Sequence, residues 1–174
     1  MQETFYATFA GLAFALLGLW WVVVEFRHQE WVADRARRRT AYFVSLSFAL
    51  PGIMSLVSLI ATDSTFLWRV SFFSAGAFGL LYGISMVPSV GPSRSGWFSA
   101  SRWLAVALYA VVCLVALFPA TVTELLPLSA IETEAVTLSL LLFLGINTAW
   151  FFFTAPAPFA DRAAVADQEG GPAR

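Results

Sequence analysis

Residues 5–26 read FYATFAGLAFALLGLWWVVVEF, an apolar run in which Glu25 is the only charged residue. A helix of about 20 residues covers the roughly 30 Å hydrocarbon core of a bilayer, so this run is long enough to cross a membrane. Residues 1–4 contain no basic side chain, and the run is longer than the apolar part of a secretory signal peptide. We therefore predict that it stays in the protein as a first membrane span.

The rest of the chain has the same apolar character. Hydrophobic residues make up 59% of the 174 residues and charged residues 12%, against about 25% charged in an ordinary soluble domain. The sequence predicts an all-α fold, a polytopic integral membrane bundle of five transmembrane helices, in one domain over residues 1–158. The predicted spans are residues 5–26, 40–61, 66–87, 103–122 and 135–154. Residues 159–174 are rich in Ala, Asp, Glu and Gly and are predicted to be a disordered cytoplasmic tail.

The arginines are distributed unequally between the two sides of these spans. With five crossings, the first loop, the third loop and the tail share one side, and they hold every arginine except Arg69. Loops rich in arginine remain in the cytoplasm. The sequence therefore predicts an N-terminus outside, a C-terminus inside, and the prokaryotic plasma membrane as the location.

This asymmetry also bears on assembly. A chain with such biased loops inserts in one orientation, so any homo-oligomer should be parallel. Five helices are few to enclose a water-filled path, which favours several subunits around an axis. The predicted partners are the lipid bilayer and further copies of the chain, with another membrane protein as the alternative. A net charge of −1 gives no reason to expect a nucleic-acid partner.

The second predicted span carries its hydroxyl and small residues on one face. At about 100° per residue, one side of the helix holds Ser45, Pro51, Gly52, Ser55 and Ser58. In lipid, small and polar side chains mark faces that meet other helices or water. We interpret these residues as pore-lining candidates, because a proline also leaves an upstream carbonyl group free to contact a solute. Packing against neighbouring helices is the alternative interpretation.

Two charged residues are candidates for ion selectivity. Glu25 ends the first span and would contribute to a ring of charge at a pore mouth. Arg69 lies about one turn inside the third span, where a charge is costly unless it faces water, pairs or reaches the headgroups. The alternative roles are pairing of Glu25 with Arg27 and extension of Arg69 towards Asp63 or the headgroups.

Glycines and one amide are predicted to mediate helix packing. Gly11 and Gly18 lie on one face of the first span, and Gly79 and Gly83 are four residues apart on the third. Small residues at such spacings allow close approach of two membrane helices. Asn147 interrupts an apolar fifth span and predicts either an interhelical hydrogen bond or a contact with a solute.

Enzyme chemistry finds little support in this sequence. The chain has one histidine, His28, and one cysteine, Cys113. It therefore contains no paired-histidine metal motif, and it has no glycine-rich phosphate loop. We predict no enzyme activity, no catalytic residue, no metal site and no cofactor.

These patterns favour a small homo-oligomeric membrane channel for ions or small solutes, with the first two spans nearest the axis. A non-conducting membrane partner or assembly subunit is the alternative. A secondary transporter ranks third, because we find no embedded carboxylate of the kind that couples protons. Residues 125–134, which are acidic, are predicted to form a short segment at the outer surface.

Overall fold

A computed structural model of the chain describes residues 2–27, 35–61, 64–85, 96–125 and 127–154. Its helices are α1 (Gln2–Phe26), α2 (Arg35–Ile60), α3 (Thr65–Ser85), α4 (Gly96–Leu117), α5 (Pro119–Leu125) and α6 (Ala130–Thr154). All except α5 are long and apolar enough to cross a membrane. The predicted helical class with five candidate spans is confirmed. The predicted tail, residues 159–174, lies outside the described residues.

The long helices run alternately up and down. In the bundle α2, α3, α4 and α6 form a closed ring, while α1 lies outside it and packs mainly on α2. We define the acidic end of the bundle by the helix termini Gln2, Ile60, Thr65, Leu117 and Ala130. We define the opposite, arginine end by Phe26, Arg35, Ser85, Gly96 and Thr154.

Apolar side chains from all four helices fill the ring. Side chains with almost no exposed surface include Met54, Phe72, Tyr109, Val112, Leu138 and Leu141. Glycine lets α3 approach α4 closely, since a Cβ atom added at Gly79 would lie 2.6 Å from the ring of Tyr109. The ring interior is therefore a packed core, and polar groups buried in it are exceptions that need a physical account.

α4 ends before residue 122, where the predicted fourth span ended. Pro119 explains the difference, because a proline inside a helix has no N–H group to donate and its ring clashes with an earlier carbonyl group. It begins α5 instead, at a position where proline is well tolerated. The last carbonyl groups of α4 accept hydrogen bonds from Arg69, with Nε 2.9 Å from the oxygen of Ala116 and Nη2 2.7 Å from that of Leu117.

α6 begins at Ala130, earlier than residue 135, where the predicted fifth span began. A capping box explains this start. The backbone N–H of Glu132 donates to the hydroxyl group of Ser129 (3.3 Å), and the carboxylate of Glu132 accepts from the N–H of Ser129 (2.8 Å). Glu134, which we predicted to lie on a surface segment, is consequently part of the helix and is buried in the bundle. The expectation that no candidate span contains an embedded carboxylate was therefore wrong.

Candidate functional site

A cavity of about 320 Å³ opens at the acidic end between α1, α2, α3, α5 and α6, and we name it the vestibule. Its lining includes Glu3, Tyr6, Ser58, Thr65, Trp68 and Ile131. Pockets that hold small organic molecules begin at about this volume. The vestibule is therefore large enough for a small solute.

Two aromatic residues and one acid determine the chemistry of the vestibule. The hydroxyl group of Tyr6 donates to the carbonyl oxygen of Ile131 (3.1 Å), which ties α1 to the start of α6. Trp68 is 9% exposed, and its indole N–H has no acceptor among the residues that the structure describes. Of the described residues that line the vestibule, only Glu3 carries a charge. The lining thus offers aromatic surface and negative charge.

Glu134 lies one helical turn further along α6 than the vestibule residues Ala130 and Ile131. It has no exposed surface, and neither of its carboxyl oxygens has a hydrogen-bond partner within the described ranges. The side chains of Tyr6 and Cys113 lie near this carboxyl group. Burying an ionised carboxylate without a partner is very costly, so such a group is held neutral by a bound proton. Glu134 is therefore a candidate proton-binding group inside the bundle.

The helices around Glu134 supply no cation to pair with it, as far as the structure describes them. α2 carries its charged residues only in its first turns, at the opposite end. Arg69, the only charged residue of α3, is bonded to carbonyl groups of α4. Tyr6 of α1 and Cys113 of α4 are neutral groups, and Glu132 is exposed at the start of α6. A proton is thus the simplest means of neutralising this carboxyl group.

The predicted pore-lining residues lie mostly inside one chain. Ser45, Pro51, Gly52 and Ser55 are buried among its helices, and α2 continues through Pro51 without ending. The hydroxyl groups of Ser45 and Ser55 donate to carbonyl groups of their own helix at 3.1 and 2.9 Å. Ser58 also bonds to its own helix, at 3.1 Å, and it lines the vestibule. A pore lined by all of these residues would run through the subunit and not between subunits.

The two ion-selectivity candidates lie at opposite ends of the bundle. Glu25 is exposed in the last turn of α1, at the arginine end. Arg69 lies at the acidic end, where its guanidinium group bonds to the last carbonyl groups of α4. A cation is favourable at that position because the carbonyl ends of a helix carry partial negative charge. The structure therefore does not bring these two residues into one site.

The residues predicted to pack helices fall into two groups. Gly79 and Gly83 lie against α4, inside the chain. At Gly11 and Gly18 a Cβ atom would meet nothing within 4 Å in the described structure, because their face of α1 points away from the bundle. Asn147 donates to a carbonyl group of its own helix, at 2.8 Å. The glycines of α1 thus leave a free surface, which those of α3 do not.

The sequence contains a signal for Glu134 that the prediction of a surface segment over residues 125–134 overlooked. Ser129 and Glu132 have the spacing of a capping box in front of an apolar run, which predicts a helix start at Ala130. From that start, Glu134 shares a helix face with Leu138 and with the residues beyond it that point inward. Its burial, and its lack of a partner, could only come from the packing of the other helices.

Comparison of the chain with protein-family models, with curated proteins and with solved structures finds no match. Across the described segments, no group of three or more His, Cys, Asp or Glu residues is placed to hold a metal ion. Functional assignment therefore rests on the chemistry of the vestibule and of the buried carboxyl group.

Proposed function

We propose that the protein is a membrane transporter in which Glu134 takes up and releases a proton while a small solute occupies the vestibule. One observation carries this proposal: a fully buried, unpartnered carboxyl group lies one turn from a cavity at the bundle end. Ionisable residues inside membrane bundles are costly and mark proton and ion pathways. The apolar length of the five long helices supports the membrane setting.

Electrostatics would link the proton to the solute. Neutral Glu134 is compatible with the apolar core, whereas ionised Glu134 requires a positive charge nearby. A cation that enters the vestibule stabilises the ionised carboxylate, and the proton leaves. When the cation leaves, the carboxyl group binds a proton again, so one positive charge is exchanged for another.

The lining of the vestibule favours a small organic cation as the solute. Tyr6 and Trp68 provide aromatic rings, whose faces attract ammonium groups. Glu3 lies in the lining, and Glu132 is exposed at the same end, so the local charge attracts cations. In this proposal the acidic end faces the outside of a prokaryotic plasma membrane, as the arginine distribution predicts.

Flux measurements in liposomes test the proposal. The purified protein is reconstituted with a pH-sensitive dye inside, and a gradient of tetramethylammonium is imposed, because this permanent cation cannot itself carry a proton. We expect the wild type to move protons against the cation, and Glu134→Gln to fall to the level of empty liposomes. Glu124→Gln, an exposed glutamate at the same end, is the matched control and should retain the flux. A wild type without cation-driven proton movement would contradict the proposal.

Infrared spectroscopy tests the protonation state separately from transport. A neutral carboxylic acid has a carbonyl stretching band that a carboxylate lacks. We expect this band in the spectrum of the wild type at neutral pH and its loss in Glu134→Gln, with no change in Glu124→Gln. Identical bands in the wild type and in Glu134→Gln would show that Glu134 does not hold the proton.

A parallel homo-oligomeric channel is the second candidate function, and the outward face of α1 favours it. Ala7, Gly11, Ala15 and Gly18 are exposed on the side of α1 that points away from α2. Small residues allow membrane helices to approach closely. Subunits joined through this face would surround an axis lined by α1, with Glu25 at its arginine end.

The oligomeric state and the conductance separate this candidate from the first. We expect a self-associating channel to lose its oligomer in the double variant Gly11→Leu, Gly18→Leu, and to lose single-channel currents with it. A wild type that is a monomer in detergent and in lipid and that carries no current would rule the channel out. Stoichiometric co-purification of another membrane protein would favour the non-conducting partner instead.

A further inference from the structure

Arg102 is a second ionisable residue that the bundle buries. It lies in the second turn of α4, at the arginine end, and is 8% exposed. Its Nε and Nη1 atoms have no hydrogen-bond acceptor in the part of the chain that the structure describes. The guanidinium carbon lies 5.7 Å from the ring centre of Trp103, a cation–π contact that offsets only part of the cost of burial.

A guanidinium group has no simple way to avoid this cost. Arginine stays protonated at any pH that proteins experience, so burial cannot neutralise it. A buried charge without hydrogen-bonded partners is strongly unfavourable. An anion that bonds to the N–H groups of Arg102 would offset this cost.

The described acidic residues do not supply this anion. Glu3, Glu124, Glu132 and Glu134 lie at the acidic end of the bundle. Glu25, the remaining described acid, is exposed on α1, outside the helix ring that contains α4. A further arginine of this end, Arg37 of α2, is 5% exposed. Among the residues that the structure describes, Arg102 therefore has no acidic partner.

We infer that Arg102 binds the phosphate group of an anionic phospholipid. Guanidinium N–H groups form a planar fork that matches two phosphate oxygens, which makes arginine well suited to this partner. Arg102 lies near the start of the candidate span Ser99–Leu117, and Arg37 begins the span Arg37–Ile60. Both residues are thus placed at the depth of the lipid headgroups if these helices cross a membrane.

The position of Arg102 at the arginine end also indicates that the phosphate group belongs to a lipid. Basic sites between membrane helices on the cytoplasmic side bind anionic headgroups. The arginine end is the one that the sequence predicts to face the cytoplasm. A free phosphate ion shares the chemistry of the headgroup but has no apolar chains to hold it against the bundle.

Binding is tested on the full chain in a neutral detergent that contains no phosphate. Phosphatidylglycerol, phosphatidylcholine and inorganic phosphate are titrated separately, and the midpoint of thermal unfolding is measured. The variants are Arg102→Gln, which removes the charge, and Arg102→Lys, which keeps it without the fork. Arg38→Gln is the matched control, since Arg38 is an exposed arginine at the same end.

Phosphatidylglycerol should stabilise the wild type and Arg38→Gln equally. Its affinity should fall about tenfold or more in Arg102→Gln, since a charge-assisted pair is lost, and by a smaller factor in Arg102→Lys. Equal affinities in the wild type and Arg102→Gln, or an equal loss in Arg38→Gln, would overturn the inference. Stabilisation by inorganic phosphate to the same extent would overturn the lipid assignment in favour of a free anion.

A measurement on the wild type alone covers the case in which Arg102→Gln does not fold. Native mass spectrometry of the purified protein should show a retained phospholipid, which excess phosphatidylglycerol exchanges. A wild type without retained phospholipid and without a thermal shift from phosphatidylglycerol overturns the inference. Neither result depends on whether Glu134 couples protons to transport.

Discussion

The acidic end and the arginine end each bury an ionisable side chain, and the two differ in how the protein can tolerate it. Glu134 lies in the second turn of α6 and Arg102 in the second turn of α4, and both are more than nine-tenths buried. A carboxyl group becomes neutral by binding a proton, whereas a guanidinium group keeps its charge. The same burial therefore predicts a proton site at one end and an anion site at the other.

Replacing the acid Glu134 by an arginine should have the largest effect on the free energy of unfolding. Glu134→Arg places a charge that cannot be neutralised in the centre of the acidic end, and we expect it to lower the free energy of unfolding by roughly 3–5 kcal/mol. Glu134→Gln keeps the shape without a charge and should change it by less than about 1 kcal/mol. Thermal unfolding in detergent measures both variants. Equal stability of the two variants would mean that this position is open to water and that Glu134 is not buried as Arg102 is.

At the arginine end, the effect of removing the charge should depend on the lipid. Arg102→Met in neutral, phosphate-free detergent should leave stability unchanged or raise it by about 1–2 kcal/mol, because a buried unpaired charge is replaced by an apolar chain. With phosphatidylglycerol present, the wild type should become the more stable of the two. A variant that is much less stable in both conditions would indicate that Arg102 already has its partner within the chain.

Substitution of Arg69 should have the smallest effect on stability, and this residue differs clearly from Arg102. It is an arginine at the acidic end whose guanidinium group already bonds to two carbonyl groups of α4. Arg69→Met should lower stability by about 1 kcal/mol in either condition, because these bonds are partly exposed to solvent. The same thermal unfolding series measures it, with Arg38→Met as the exposed control. If the stability lost in Arg69→Met depended on phosphatidylglycerol, the anion site would lie at the acidic end and not at Arg102.

Local sequence patterns were enough to predict most of the fold. The run over residues 5–26 is apolar over the length that a membrane crossing requires, and the structure has a helix there, Gln2–Phe26. Helix ends were harder to predict where one residue decides them. Pro119 ends α4 early, and the cap formed by Ser129 and Glu132 starts α6 early.

The candidate site was harder to predict from the sequence than the fold was. Ser58 was predicted to line a path for a solute, and it lies in the vestibule. Glu134 was assigned to a surface segment, although one earlier helical turn places it inside the ring. Arg102 was counted only among the arginines that set orientation. The residues adjacent to Glu134 and Arg102 in the sequence do not show whether these side chains have hydrogen-bond partners. Such partners would come from helices that are distant in the sequence.

Five long apolar helices, with arginine concentrated at one end, follow from the sequence alone, because each apolar run is a local property. Which face of each helix is buried depends on how the helices pack together. The serine face of α2 is enclosed by other helices, while the glycine face of α1 points outward, although both faces consist of small residues. The choice follows from packing between pairs of helices, where a face is buried only if a neighbouring helix has a surface that fits it.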